Sequence, residues 1–297
     1  MAERMDDILV EDEFHQLATG VTLHAKRRAR RDAGGGLPVF CLPGLTRNER
    51  DFASIATILA QEGHDVRAVS LRGRGRSSYA DYRGYHPAQY RDDVIALLDK
   101  LRIDAAAFIG TSLGGITTML IAEQDAGRIR AAVINDIGPE LAPEGIARIM
   151  SYMATRASTG SSASAELSFD EAKASIRAVN DVAFPEADEA FWDAMTERTF
   201  RRTQSGAWTL DYDQNISRAL AEIGAAPDLS PGWKALAAAP SLLVRGAISD
   251  LLSPAIVDRM RAMRPGFEYV EAANVGHAPM LDEPDVRERI VSFLAKA

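Results

Sequence analysis

A serine lies between two glycines in the run Gly110-Thr111-Ser112-Leu113-Gly114. An apolar stretch leads into Gly110 and an apolar-faced stretch follows Ser112, so we predict a strand, a sharp turn and a helix. At such a turn, side chains two positions before and after the serine would collide, and glycine avoids this. The turn exposes the hydroxyl and directs the first helix amides towards it. Ser112 is therefore a candidate nucleophile, with an ordinary glycine-rich turn as the alternative.

A neutral serine hydroxyl needs a base to act as a nucleophile. Of the five histidines, His277 lies in the loop between the last predicted strand and the last predicted helix. The other four lie in the N-terminal region or beside predicted helix ends. Ser112 also follows a strand, and the carboxyl ends of parallel strands meet at one edge of a sheet. We therefore predict His277 as the base.

Two acids compete to orient the imidazole. Asp250 follows one predicted strand and Asp136 follows another, and either satisfies the chain order of nucleophile, acid and histidine. We predict Asp250, because its strand lies nearer in the sequence to the strand before His277. Asp136 also suits a turn before Gly138-Pro139 and remains the alternative.

The elements that must position these residues alternate along the chain. Short apolar runs are separated by amphipathic stretches, which predicts an α/β fold with a mostly parallel sheet and helices on both faces. An antiparallel edge hairpin is predicted before Leu37. The alternation stops after Pro139 and resumes at Pro240, which predicts a core of residues 1–138 and 232–297 with a helical cap, or lid, at 139–231. Residues 158–164 are predicted to be flexible.

Composition limits the classes of function. The formal net charge of −8 argues against nucleic acid as a partner. The single cysteine, Cys41, cannot form an intrachain disulfide, and its apolar surroundings favour a buried side chain over a nucleophile. No apolar run reaches the ~18 residues of a membrane span, and no secretory signal is evident. We expect a cytoplasmic protein that needs no metal or organic cofactor.

Several motifs together resemble the α/β-hydrolase superfamily over nearly the whole chain. They are Leu42-Pro43-Gly44-Leu45, Leu71-Arg72-Gly73-Arg74-Gly75-Arg76-Ser77, the turn at Ser112, Ser249-Asp250 and Gly276-His277-Ala278-Pro279. The resemblance implies an oxyanion hole made by the amides of Leu45 and Leu113, although Pro43-Gly44 replaces the family's His-Gly. It also implies a helical lid after the sixth strand.

The resemblance narrows the expected chemistry. Dehalogenases and epoxide hydrolases of this fold carry Asp where this chain has Ser112, and carbon–carbon hydrolases often carry Trp where it has Ala278. What remains is similar to esterases and lactonases of the enol-lactonase type, which implies cleavage of a small carboxylic ester or lactone through an acyl-enzyme. Carbon–carbon bond hydrolysis on the same residues and a non-catalytic binding protein of this fold are the alternatives.

The partner expected from these observations is a small molecule, with neither nucleic acid nor a membrane, and the oligomeric state stays open. Large apolar side chains of the predicted lid are candidates to wall the substrate pocket, and packing within the lid itself is their alternative role. These candidates are Met153, Phe184, Trp192 and Trp208.

Overall fold

The computed structural model describes residues 7–32, 36–158, 166–223 and 228–297. The predicted flexible stretch 158–164 therefore lies, except for its first residue, outside the described residues. None of the described helices is both long enough and apolar enough to cross a bilayer.

Eight of the ten described strands form one sheet. They are β1 Ile8–Gln16, β2 Thr22–Arg30, β3 Pro38–Leu42, β4 Asp65–Ser70, β5 Ala106–Thr111, β6 Ile129–Asn135, β9 Ser241–Gly246 and β10 Glu268–Ala272. Their order in the sheet is β1-β2-β4-β3-β5-β6-β9-β10. Neighbours from β4 to β10 run parallel, while β1 and β2 pair antiparallel with each other and β2 pairs antiparallel with β4. The predicted edge hairpin and α/β sheet are both confirmed.

Helices cover both faces of this sheet, because successive strand residues point to opposite faces. The core helices are α1 Ala53–Gln61, α2 Pro87–Leu101, α3 Leu113–Gln124, α9 Pro254–Met263 and α10 Pro284–Leu294. Phe40 and Phe108 face a core to which α2, α3 and α9 contribute, whereas Val39 and Ile109 face a second core with α1 and α10.

Between β6 and β9 the chain leaves the sheet, and we call residues 139–231 the insertion. Its elements are α4 Pro143–Ser158, α5 Phe169–Asn180, α6 Glu189–Thr199, β7 Phe200–Arg202, β8 Trp208–Leu210, α7 Asn215–Ile223 and α8 Ser230–Ala235. Of these, α8 begins inside the insertion and ends beyond it. The antiparallel β7–β8 pair is absent from the sequence prediction, because three-residue strands are too short to show a period.

The insertion has an apolar cluster of its own, centred on the fully buried Trp192. Its last helix, α8, instead packs on the core helix α3, where a Cβ on Gly232 would lie 2.4 Å from the carbonyl oxygen of Met119. The residue at which the core ends and the insertion begins stays a prediction.

Candidate active site

The turn between β5 and α3 holds Ser112 in a backbone conformation that residues other than glycine rarely adopt, with φ 50° and ψ −112°. The flanking glycines allow the turn to be this tight. A Cβ on Gly110 would lie 2.5 Å from Gly114 main-chain atoms, and a Cβ on Gly114 would lie 2.0 Å from the carbonyl oxygen of Leu42. The predicted strand, turn and helix are therefore present, and the strained turn presents the hydroxyl at the end of β5.

The structure brings His277 to Ser112 from 165 positions away, with Nε2 of the imidazole 2.9 Å from Oγ of the serine. The other ring nitrogen, Nδ1, lies 2.8 Å from Oδ2 of Asp136. A carboxylate only accepts hydrogen bonds, so Nδ1 carries the proton and Nε2 is left to accept the serine O–H. This arrangement can remove a proton from the hydroxyl as the oxygen attacks a carbonyl carbon.

Asp136 is fully buried and directly follows β6. Besides His277, its carboxylate accepts the main-chain N–H of Gly246 at 2.9 Å and the hydroxyl of Ser249 at 2.7 Å. Three donors, from the end of β9, from the loop after it and from the loop that carries His277, thus hold the carboxylate in one orientation. The carboxylate in turn holds the imidazole in one tautomer.

The prediction that Asp250 orients the imidazole is wrong in this structure. Its carboxylate instead makes a two-pronged ion pair with Arg148 of α4, with oxygens 2.5 and 2.9 Å from Nε and Nη2. The hydrogen bonds of the Arg148 guanidinium hold the pKa of Asp250 below its usual value. The loop after β9 still serves the site, but through the neighbouring Ser249. Nearness in sequence misled the prediction, because side-chain direction within a loop depends on tertiary contacts.

The two residues predicted to form an oxyanion hole both lie close to the serine. Leu113 is the first residue of α3, and Gly44, next to Leu45, lies so close to Ser112 that its added Cβ would be 3.8 Å from the serine Cβ. Neither the Leu45 nor the Leu113 amide donates a hydrogen bond to another described residue. Both are thus available to a negatively charged oxygen, and the α3 N-terminus favours negative charge there.

Arg74 binds the main chain of the loop that carries Leu45, a role that the sequence analysis missed. Its side chain is fully buried, and Nε donates to the carbonyl oxygen of Leu45 at 2.9 Å. Nη1 donates to the carbonyl oxygen of Arg72 at 2.6 Å and to the hydroxyl of Tyr90 at 2.8 Å. The guanidinium also lies 4.7 Å from the centre of the Tyr90 ring. Holding the Leu45 carbonyl restricts rotation of the main chain that carries the Leu45 amide.

Ser112 and His277 open onto a cavity of about 130 Å³ between the sheet edge and the insertion. The oxyanion loop contributes Leu45 and Thr46, and the insertion contributes apolar side chains from α4, α5 and α6. The described lining residues from the insertion are Arg148, Ile149, Tyr152, Ile176, Val179, Asn180, Phe184, Met195, Thr199 and Tyr212.

Of the four side chains predicted to wall this pocket, only Phe184 does so. Met153 is buried against the core, Trp192 is the centre of the insertion's apolar cluster, and Trp208 packs against that cluster. The prediction for these three is wrong, because Met153 is used in the main core and the two tryptophans are used in the insertion's own cluster. Smaller and amphipathic residues on the sheet-facing surfaces of the helices form the wall instead.

Comparison with known proteins confirms the predicted fold and family resemblance. The model of the alpha/beta hydrolase family matches residues 39–288. The 3-hydroxybutyrate-oligomer hydrolase of Cupriavidus necator is 32% identical over 82% of this chain and 83% of its own length. The 2-(acetamidomethylene)succinate hydrolase of Mesorhizobium japonicum is 25% identical, over 88% and 89%. The crystal structure of an alpha/beta hydrolase from Novosphingobium aromaticivorans superposes with a TM-score of 0.86 at 38% identity, covering 97% of this chain and 99% of that one. The chain is therefore a hydrolase that belongs to the alpha/beta hydrolase family.

Proposed function

We propose that this hydrolase cleaves small carboxylic esters or lactones through an acyl-enzyme on Ser112. The observation that carries the proposal is the hydrogen-bonded line from the Ser112 hydroxyl through His277 to Asp136, with separations of 2.9 and 2.8 Å. Each separation is short enough for proton transfer or for a strong hydrogen bond without rearrangement.

In the proposed reaction the Ser112 oxygen attacks the ester carbonyl carbon while Nε2 of His277 takes the hydroxyl proton. Asp136 stabilises the imidazolium through its bond to Nδ1–H. The amides of Leu45 and Leu113 stabilise the negative oxygen of the tetrahedral intermediate, and His277 then protonates the leaving alcohol. A water molecule that gives a proton to His277 then attacks the acyl-enzyme. The bond between the acyl carbon and the Ser112 oxygen breaks, His277 returns the proton to that oxygen, and the acid is released.

The substrate should be small. The cavity of about 130 Å³ is well below the ~300–1,000 Å³ typical of sites for drug-sized ligands. A relative is named for oligomers of 3-hydroxybutyrate, which supports short hydroxyacid esters as the class to test first. The insertion forms the outer wall of the cavity, and we propose that it acts as the cap that sets this size limit. A cytoplasmic location stays a prediction.

A panel of aryl esters with graded acyl chains, together with simple lactones, tests the proposal. We expect the highest kcat/KM for acyl chains of about four carbons or fewer, and a loss of at least about a thousand-fold in Ser112→Ala. A fluorophosphonate probe should label Ser112 in the wild type. Hydrolysis that persists in Ser112→Ala would refute the acyl-enzyme. A protein that neither hydrolyses the panel nor reacts with the probe would favour the non-catalytic alternative.

A further inference from the structure

The charged side chains that line the cavity differ in how fully their hydrogen-bonding groups are paired. Besides His277, the described lining residues with charged side chains are Arg47, Asp51 and Arg148. Arg47 is occupied, because Nε and Nη2 bind the Asp51 carboxylate at 2.7 and 2.5 Å and Nη1 donates to the hydroxyl of Thr199. Each of the three guanidinium nitrogens of Arg47 therefore already donates to a protein oxygen.

Arg148 differs from Arg47 in having an unused edge. Its Nε and Nη2 bind Asp250, which is not among the described residues that line the cavity, and its side chain is 22% exposed. Nη1 has no hydrogen-bond partner among the residues that the structure describes. A guanidinium carries five N–H donors in a planar fork, so one carboxylate bound at the Nε side leaves room for a second at the Nη1 side.

We propose that Arg148 binds a carboxylate of the substrate, so that the preferred ester carries a free carboxylate group a few bonds from the scissile carbonyl. The inference rests on the proposed ester hydrolysis, because Arg148 and Ser112 line the same small cavity. Asp250 then has two effects. It fixes the direction of the guanidinium, and its negative charge weakens the attraction of Arg148 for a second anion.

The surroundings strengthen this selectivity. The cavity that Arg148 lines is also lined by Ile149, Ile176 and Val179, and apolar side chains there would lower the access of water to a bound anion. A charge-assisted hydrogen bond is stronger there than at an exposed surface, and a neutral group in its place leaves the guanidinium edge unpaired. The structure therefore favours an acid over its matched amide.

Matched pairs of esters test the proposal. One pair is the butanoate ester of 3-hydroxybutanoic acid and that of the corresponding amide, which places the carboxylate in the alcohol part. The other is monoethyl glutarate and the ethyl ester of glutaramic acid, which places it in the acyl part. The readout is the ratio of kcat/KM for acid over amide. We expect a wild-type ratio of about ten to a hundred for at least one pair, and the pair that shows it identifies the part bound by Arg148.

The two members of the ion pair should shift this ratio in opposite directions. Arg148→Gln should reduce the ratio to about one, whereas Asp250→Asn should raise it several-fold because the competing charge is removed. An ion pair with a purely structural role would move the ratio little, or in the same direction in both variants. The matched control is Arg259→Gln, which removes an exposed arginine paired with Glu140 outside the cavity and should keep the wild-type ratio.

Calorimetry on Ser112→Ala separates this inference from the proposed function. The acid probe should bind this variant at least about ten-fold more tightly than the amide probe, and Arg148→Gln in the same background should abolish the difference. Ester turnover without acid preference in both pairs overturns the role of Arg148 and leaves the esterase standing. Selective acid binding without any turnover keeps the carboxylate site and rejects the esterase.

Discussion

Replacing Asp136 by asparagine should reduce kcat by about 10⁴-fold, equivalent to about 5.5 kcal/mol in the activation barrier. The carboxylate accepts from three donors: Nδ1–H of His277 at 2.8 Å, the hydroxyl of Ser249 at 2.7 Å and the amide of Gly246 at 2.9 Å. An asparagine has one NH₂ group in place of a carboxylate oxygen, and this group must point either towards His277 and Ser249 or towards the Gly246 amide. Facing His277, it forces the proton onto Nε2, which can then no longer accept the proton of Ser112.

The opposite orientation of the asparagine places NH₂ against the Gly246 amide, a clash of two donors at a fully buried position. That costs about 1–3 kcal/mol of stability, so the thermal midpoint must be measured beside the rate.

The assay is steady-state hydrolysis of para-nitrophenyl butyrate near neutral pH, which gives kcat and KM separately, with fluorophosphonate labelling of Ser112 as a second readout. Asp250→Asn is the comparison, because it removes a carboxylate of the neighbouring loop that makes no hydrogen bond to His277. We expect it to lose less than about ten-fold on this neutral ester. A folded Asp136→Asn enzyme that keeps most of its rate, beside an inactive Asp250→Asn enzyme, would refute the assignment of the acid.

Three further predictions concern the surroundings of the site. Arg74→Met should lower kcat by about ten-fold or more with little change in KM, because the Leu45 carbonyl loses its donor. Arg74→Lys should keep more of the wild-type rate than Arg74→Met does. Steady-state kinetics on both variants checks this prediction. Burial raises the pKa of Asp211 from 3.8 to about 6, although the positive charge of Arg50 opposes the shift. The protonated carboxyl therefore contributes its full stabilisation of the folded state below about pH 4, and this contribution is lost as the pH rises through about 6. Asp211→Asn should therefore stabilise the protein relative to the wild type by up to about 3 kcal/mol more at about pH 7 than at about pH 4, measured by denaturant unfolding; an unchanged difference across this range would contradict the shift. Burial raises the pKa of the Cys41 thiol to about 12, so iodoacetamide should leave it unmodified in the native protein and modify it after denaturation, as mass spectrometry would show.

Much of the core could be predicted because its signals are local. Helix α2 begins at Pro87 and α9 at Pro254, and a proline at the first helical position is a signal that the local sequence carries by itself. The turn at Ser112 was readable for the same reason, since its glycines, its strand and its helix are neighbours in the chain. The insertion was harder, because its apolar residues divide between its own cluster and the cavity wall, and a single sequence does not distinguish the two.

The sequence by itself determined the alternation of strands and helices, the strained turn at residue 112 and the loop that carries His277, because short-range sterics and hydrophobic periodicity specify each of them. Only the tertiary structure decided which acid bonds to the imidazole and which of the two described arginines that line the cavity keeps an Nη1 unpaired within the described part of the chain. Asp136 and Asp250 follow adjacent strands, and the choice between them depends on Ser249, Gly246 and Arg148, whose positions follow from the packing of distant segments.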